Sequence, residues 1–198
     1  MKIFRFFSNI SSSESLQMPD WTMKVLPDTA MLIQKRPFFI PDFTEDCKVQ
    51  LCYAVRINRL GRSIHEKFSH RYYDASAITL GVHFVARDLW IQLQAQGKPV
   101  DTAVGFDNAV AVSEIRTDYF DETSSVGLKI DEDLYSYPVD GNLLACINKQ
   151  IEAISSFYTL KQGDILLFPV AMEELPVVID NHLSLYMNEH EVLSFNVK

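Results

Sequence analysis

Ala77-Ile78-Thr79-Leu80-Gly81-Val82-His83-Phe84-Val85-Ala86 decides the fold. The run is rich in β-branched and aromatic residues and lacks proline, which predicts a largely buried strand. Arg87-Asp88 follow. Leu89, Trp90 and Leu93 then recur three and four apart, and Gly97 stands behind them as a stop, which predicts a short helix. A polar loop, Lys98-Pro99-Val100-Asp101, leads to Gly105-Phe106-Asp107-Asn108 and a second strand from Ala109 to Val112. Strand, charged corner, helix, turn and strand together let a few polar groups protrude from a rigid floor.

Upstream, Cys47 to Asn58 alternates: Val49, Leu51, Tyr53, Val55 and Ile57 against Lys48, Gln50, Cys52, Ala54 and Arg56. A period of two predicts a strand whose apolar side faces a core, with Lys48 and Gln50 starting the other side. Lys2 to Phe7 reads as a first strand, followed by a polar stretch from Ser8 to Ser15. Ser63 to Tyr73 reads as a helix burying Ile64, Phe68 and Tyr72. Its His65 and His70 lie five apart, a poor spacing for two ligands on one face. Downstream, 114–133 is acidic and hairpin-like, with turn residues at 121–125, and Val126 to Ile130 reads as an outer strand. Leu143, Leu144, Ile147, Ile151, Ile154 and Phe157-Tyr158 give the best helical pattern in the chain, capped by Asn142 or Asp140. Ile165 to Phe168 reads as a buried strand. The tail from Val177 reads as two strands joined near Met187-Asn188-Glu189-His190-Glu191, leaving His182 and His190 exposed.

A chain of 198 residues with 47% apolar and 22% charged content suits one globular domain with a sizeable core. The net charge of −8 argues against nucleic acid, and the sequence reads as lacking a basic patch with interleaved aromatics. Cys47, Cys52 and Cys146 form an odd set without zinc spacing, which predicts reduced thiols and a cytoplasmic location. Cys47 and Cys52 lie five apart on one strand and face opposite sides. No stretch approaches the ~20 apolar residues that would span a membrane.

Ala86-Arg87-Asp88, Gly97-Lys98-Pro99 and Gly105-Phe106-Asp107 resemble the signature of the fumarylacetoacetate hydrolase family. Pro37-Phe38-Phe39-Ile40-Pro41-Asp42-Phe43, Lys67-Phe68-Ser69-His70-Arg71-Tyr72-Tyr73 and Phe157-Tyr158-Thr159-Leu160-Lys161-Gln162-Gly163-Asp164 extend the likeness. It covers roughly residues 27 to 198 and points to small, single-domain members similar to 2-hydroxyhepta-2,4-diene-1,7-dioate isomerase. The resemblance implies a mixed β fold with few helices (α+β), a β-roll or β-sandwich, assembled as a homodimer. It divides the chain into an N-terminal strand and lid-like segment, 1–24, and a catalytic-type domain, 25–198. Family chemistry is metal-dependent C–C hydrolysis, decarboxylation or isomerisation of 2-oxo acids, with Mg²⁺ or Mn²⁺ as the Lewis acid.

The residues at the implied chemical positions are altered. The family's Glu-x-Glu metal ligands correspond to Lys48 and Gln50, and its third carboxylate corresponds to His83. A lysine is cationic with no acceptor, and an amide and an imidazole are poor ligands for a hard cation. The lid histidine is missing, since Asn9 is followed by no histidine before His65. Leu26 and Val104 stand where the family has lysines, and Phe168-Pro169-Val170-Ala171 stands where it has Thr-Gly-Thr-Pro. Arg87, Asp88 and Asp107 are retained, Arg87 with Asp88 reading as a buried pair that orients the corner. The expected protein therefore carries no metal. It is a non-catalytic pseudoenzyme or partner-binding subunit beside an active paralogue, with Lys48 plugging the old site through Asp107 or Asp88. Two other readings compete. In one, Lys48 and His83, aided by Gln50, Arg87, Asp88 and Asp107, bind or turn over a small 2-oxo or dicarboxylic acid without metal. In the other, Asp107 or Glu173 rebuilds a divalent-metal hydrolase or isomerase site.

Overall fold

The computed structural model describes residues 1–7, 23–33, 36–114 and 125–198. The lid-like stretch with Asn9 and most of the acidic turn lie outside these residues. Two sheets carry the described chain. The larger runs, in spatial order, through β2 (Met23–Leu26), β1 (Ile3–Phe6), β8 (Ile165–Pro169), β3 (Cys47–Arg56), β4 (Thr79–Ala86) and β5 (Val110–Val112). The short β9 (Leu175–Pro176) pairs with β3 beyond the end of β8. Within this sheet β1 lies parallel to β8, and the other pairings are antiparallel. The smaller sheet orders β11 (His190–Asn196), β10 (His182–Met187), β6 (Ser125–Ile130) and β7 (Asp133–Pro138).

The alternation read in β3 sets up both faces of the larger sheet. Val49, Leu51, Tyr53 and Val55 enter the main core with Leu80, Val82 and Phe84 of β4. Phe38 stacks on Phe84 with ring centroids 3.7 Å apart. The core-facing stripe of α4 (Leu143–Phe157), namely Leu143, Ile147, Ile151 and Ile154, closes the same core. Cys52 and Ala54 instead point to the opposite face, into a second cluster with Ile3, Leu26, Val104, Val110 and Leu167. Both faces of the sheet are thus covered, and every residue of β4 is buried. At Gly81 a Cβ would sit 2.7 Å from the Ala111 carbonyl oxygen of β5, so the strands approach closely only because no side chain is there.

The predicted helix after Arg87-Asp88 is α2 (Arg87–Ala95), and Gly97 ends it at φ +64°. Three expectations are corrected. The stretch 63–73 holds only one helical turn, α1 (Glu66–Ser69), since Ser63 adopts φ +50°. Phe68 is consequently exposed, while Ile64 is buried. The loop before Gly105 contains a second turn, α3 (Asp101–Val104), which buries Ala103 and Val104. Downstream, Val126 to Ile130, expected as an outer strand, is the inner strand β6, because β7 pairs along it around a tight turn at Asp131, φ +52°. Asp140 rather than Asn142 satisfies the α4 terminus, its Oδ1 accepting from the Asn142 amide at 2.8 Å. Cys47, Cys52 and Cys146 are all free and buried. No helix among the described residues is long and apolar enough to cross a membrane.

Candidate functional site

The second face of the larger sheet carries a buried polar cluster around a residue that the pattern reading passed over. In Ile3-Phe4-Arg5-Phe6-Phe7 the strand period sends Phe4 and Phe6 into the main core and Arg5 to the other side with Ile3. Arg5 is fully buried. Its Nε donates to His83 Nδ1 at 3.2 Å. One terminal nitrogen donates to Gln50 Oε1 and the other to the Phe6 carbonyl. Phe7 lies under the guanidinium, 4.8 Å from carbon to ring centroid. Gln50 and His83 are direct cross-strand partners on β3 and β4, so one register places both against the arginine.

Each partner is itself held. Gln50 Nε2 donates to the Ala171 carbonyl at 2.8 Å. Because His83 Nδ1 accepts from Arg5, its proton sits on Nε2, which donates to the Val104 carbonyl of α3 at 2.7 Å. Burial, then the neighbouring Arg5 charge, push the His83 imidazole down from 6.5 to about 3, against the Val104 hydrogen bond. His83 is therefore a neutral ring with both nitrogens engaged. Burial also lowers Arg5 from its ordinary value, offset in part by Cys52 and Glu174. A guanidinium nevertheless keeps its proton in a protein. The three groups that receive its hydrogen bonds among the described residues are neutral.

The other anticipated residues lie around this cluster or away from it. Lys48 does not plug it through Asp88 or Asp107: its Nζ pairs with Asp46 at 2.8 Å, and a quarter of its side chain is exposed. Arg87 and Asp88 are not a pair. Arg87 stacks over Trp90 at 4.3 Å and reaches Glu174 at 3.6 Å. Asp88 instead accepts from Thr44 Oγ1 at 2.5 Å and from the Glu45 and Leu89 amides at 2.9 and 2.8 Å. Desolvation raises the Asp88 carboxyl, but these hydrogen bonds, led by Thr44, outweigh it and hold the group below its usual value. Asp88→Ala should therefore lower stability by about 1 kcal/mol in urea unfolding near neutral pH. Below the ordinary carboxylate range that difference should shrink, since the depressed carboxylate stabilises the fold only while ionised. Asp107 is exposed next to Asn108 and lies outside the cluster. Glu173 accepts from the Tyr137 hydroxyl at 2.9 Å.

Structural comparison gives this arrangement its context. A protein from Yersinia pestis assigned to the fumarylacetoacetate hydrolase family superposes with a TM-score of 0.84 at 21% identity, over 100% of this chain and 92% of the other. A 2-hydroxyhepta-2,4-diene-1,7-dioate isomerase from Mycobacterium marinum gives 0.81 at 19%, over 99% and 73%. A fumarylpyruvate hydrolase from Pseudomonas aeruginosa, solved with Mn²⁺ and pyruvate, gives 0.79 at 13%, over 100% and 89%. This chain has the fumarylacetoacetate hydrolase fold. No protein-family model and no curated protein matches the sequence. On the fumarylacetoacetate hydrolase fold, then, a divalent cation can be tested against the residues actually present. Mg²⁺ and Mn²⁺ want several oxygen donors, carboxylates above all. The cluster offers one amide oxygen and one imidazole nitrogen, both already accepting from Arg5. Among the described residues no three His, Cys, Asp or Glu side chains come together. Lys48, Gln50 and His83 do not fit a hard cation, and Arg5 supplies a fixed positive charge in their midst.

Proposed function

We propose that this chain is a metal-independent, non-catalytic protein on the fumarylacetoacetate hydrolase fold, acting by binding a partner. The observation that carries the reading is the Arg5 guanidinium, buried between Gln50 and His83 and hydrogen-bonded to neutral acceptors. A divalent ion placed there would face a fixed positive charge and too few oxygen donors. The chemistry of the fold's hydrolases and isomerases needs strong stabilisation of developing negative charge. At least three of the five Arg5 N–H groups already donate within the protein, and the guanidinium is fully buried. His83 has no free nitrogen to move a proton, which also weighs against a metal-free acid–base role. Lys48, bonded to Asp46 at the rim, adds no base.

The resemblance supports assembly as a homodimer, and an active paralogue is a fitting partner. The reading is tested with the purified protein by titrating MgCl₂ and MnCl₂ calorimetrically and assaying oxaloacetate and acylpyruvates with each metal. The expected outcome is no saturable metal heat and no turnover above the uncatalysed rate. Stoichiometric metal uptake with turnover that is lost on chelation would overturn it.

A further inference from the structure

Residues 56–71 carry Arg56, Arg59, Arg62, Lys67 and Arg71, five of the 18 lysines and arginines in a chain of net charge −8, with Glu66 the one carboxylate among them. All five cations are exposed. No ion pair among the described residues uses any of them. They are interleaved with aromatics, contrary to the expectation from sequence. Lys67 and Arg71 lie 4.8 and 4.9 Å from the Phe68 ring, and Arg59 lies 5.9 Å from that of Tyr72. Phe68 is 40% exposed and Leu60 67%.

The segment is rigidly presented. Asn58 donates to the Tyr72 carbonyl at 2.9 Å, Gly61 and Leu160 exchange backbone bonds at 3.0 and 2.8 Å, and Ser63 donates to the Ser155 carbonyl of α4 at 2.8 Å. At its foot opens a cleft of about 520 Å³ lined by Arg56, Asn58, Asp74 and Gln162, among others. Arg56 makes no ion pair among the described residues, and Asn58 and Gln162 supply side-chain amides to the same cleft. The Asp74 carboxylate on its wall already accepts from the Ser76 amide and hydroxyl at 2.9 and 2.7 Å. This suits an incoming carboxylate that pairs with Arg56.

We propose that this face docks an acidic, extended peptide segment of a partner protein. A carboxylate side chain enters the cleft at Arg56, further carboxylates pair with Arg59 and Arg71, and an apolar side chain packs between Leu60 and Phe68. Arginine and aromatics around a small apolar contact are the composition of interface hot spots, and a pre-ordered surface spares the ordering cost on one side. The acidic remainder of the protein disfavours a long polyanion, whose phosphates would run past the patch. A short peptide matches its footprint. The proposal goes beyond the reading above and does not depend on Arg5, because Arg56 lies six residues along β3 from Gln50, roughly 20 Å away.

The test is fluorescence anisotropy of a labelled peptide of alternating glutamate and serine around one phenylalanine, against its glutamine counterpart and labelled oligothymidylate. The glutamate peptide should bind at low salt and weaken as salt rises. R59E/R71E should weaken it by about tenfold or more and R56Q to a lesser extent, with melting temperatures unchanged. K198E, on a different surface, should have no effect. Failure of the glutamate peptide to bind, indifference to R59E/R71E in a folded protein, or equally tight binding of oligothymidylate would each overturn the proposal.

Discussion

Arg5→Ala should lower the unfolding free energy by about 3–5 kcal/mol, the sum expected from two orphaned buried acceptors and the void left by the side chain. The size follows from what is left behind. Gln50 Oε1 and His83 Nδ1 lose their Arg5 donor inside a covered sheet face. An orphaned buried acceptor costs about 1–3 kcal/mol. The void left by the side chain and the lost contact with Phe7 add to this. Arg5→Lys should recover little, because an ammonium on a flexible stem cannot reproduce the planar fork that serves three acceptors. Urea unfolding of the wild type and both variants at one pH gives the comparison. A loss below about 1 kcal/mol for Arg5→Ala would mean that the cluster is not what holds β1 to β3 and β4 across β8.

The second large effect is on acid stability. His83 is held at about 3 in the folded protein against an ordinary 6.5. Between these values the unfolded chain binds the proton and the folded chain does not, so stability rises with pH through that window. The contribution is fully present above pH about 6.5 and is withdrawn by about 1.4 kcal/mol per pH unit as the pH falls toward 3. From pH 6.5 to 5, above most carboxylate titration, His83 alone should remove about 2 kcal/mol. The measurement is a pair of urea transitions at those two pH values for wild type and His83→Gln, whose difference isolates the imidazole. In the ring spectrum, the His83 carbon-bound protons should not shift between pH 5 and 8. Titration of that ring near neutrality would show Nδ1 free rather than occupied by Arg5.

Most of the fold was legible because it rests on strong periodicities. The alternation of Cys47 to Asn58, the apolar run to Ala86 and the stripe along Leu143 to Ile154 became β3, β4 and α4 with small shifts at their ends. Turns stabilised by tertiary contacts were less visible. The single helical turn of α3 follows a proline and a polar run, and only its docking of Ala103 and Val104 into the second cluster accounts for it. The reverse failure came at Phe68, whose spacing with Ile64 and Tyr72 mimics a buried stripe. There the helix is too short to turn all three inward, and cations cover the ring instead.

The site was half legible. Gln50 and His83 were placed together by the family resemblance, and the structure does bring them opposite one another. The cation between them was sought on the wrong strand. Lys48 shares the face of Gln50, but its flexible stem finds Asp46 at the rim, where the charge stays partly hydrated. Arg5 comes from 78 positions before His83 and reaches it only because β1 docks parallel to β8. The available signal was an arginine in the centre of Ile3-Phe4-Arg5-Phe6-Phe7. A charge in an otherwise apolar strand is seldom buried without a partner, and that partner could have been sought among the polar residues of β3 and β4.

A guanidinium belonging to the chain itself stands where β3 and β4 present Gln50 and His83. Crystals grown in millimolar MnCl₂, with anomalous data collected at the manganese edge, test that placement most directly. The expected result is no anomalous peak between the two strands and flat guanidinium density for Arg5 within hydrogen-bond distance of Gln50 and His83. A manganese peak bonded to either side chain, with Arg5 turned away, would contradict it.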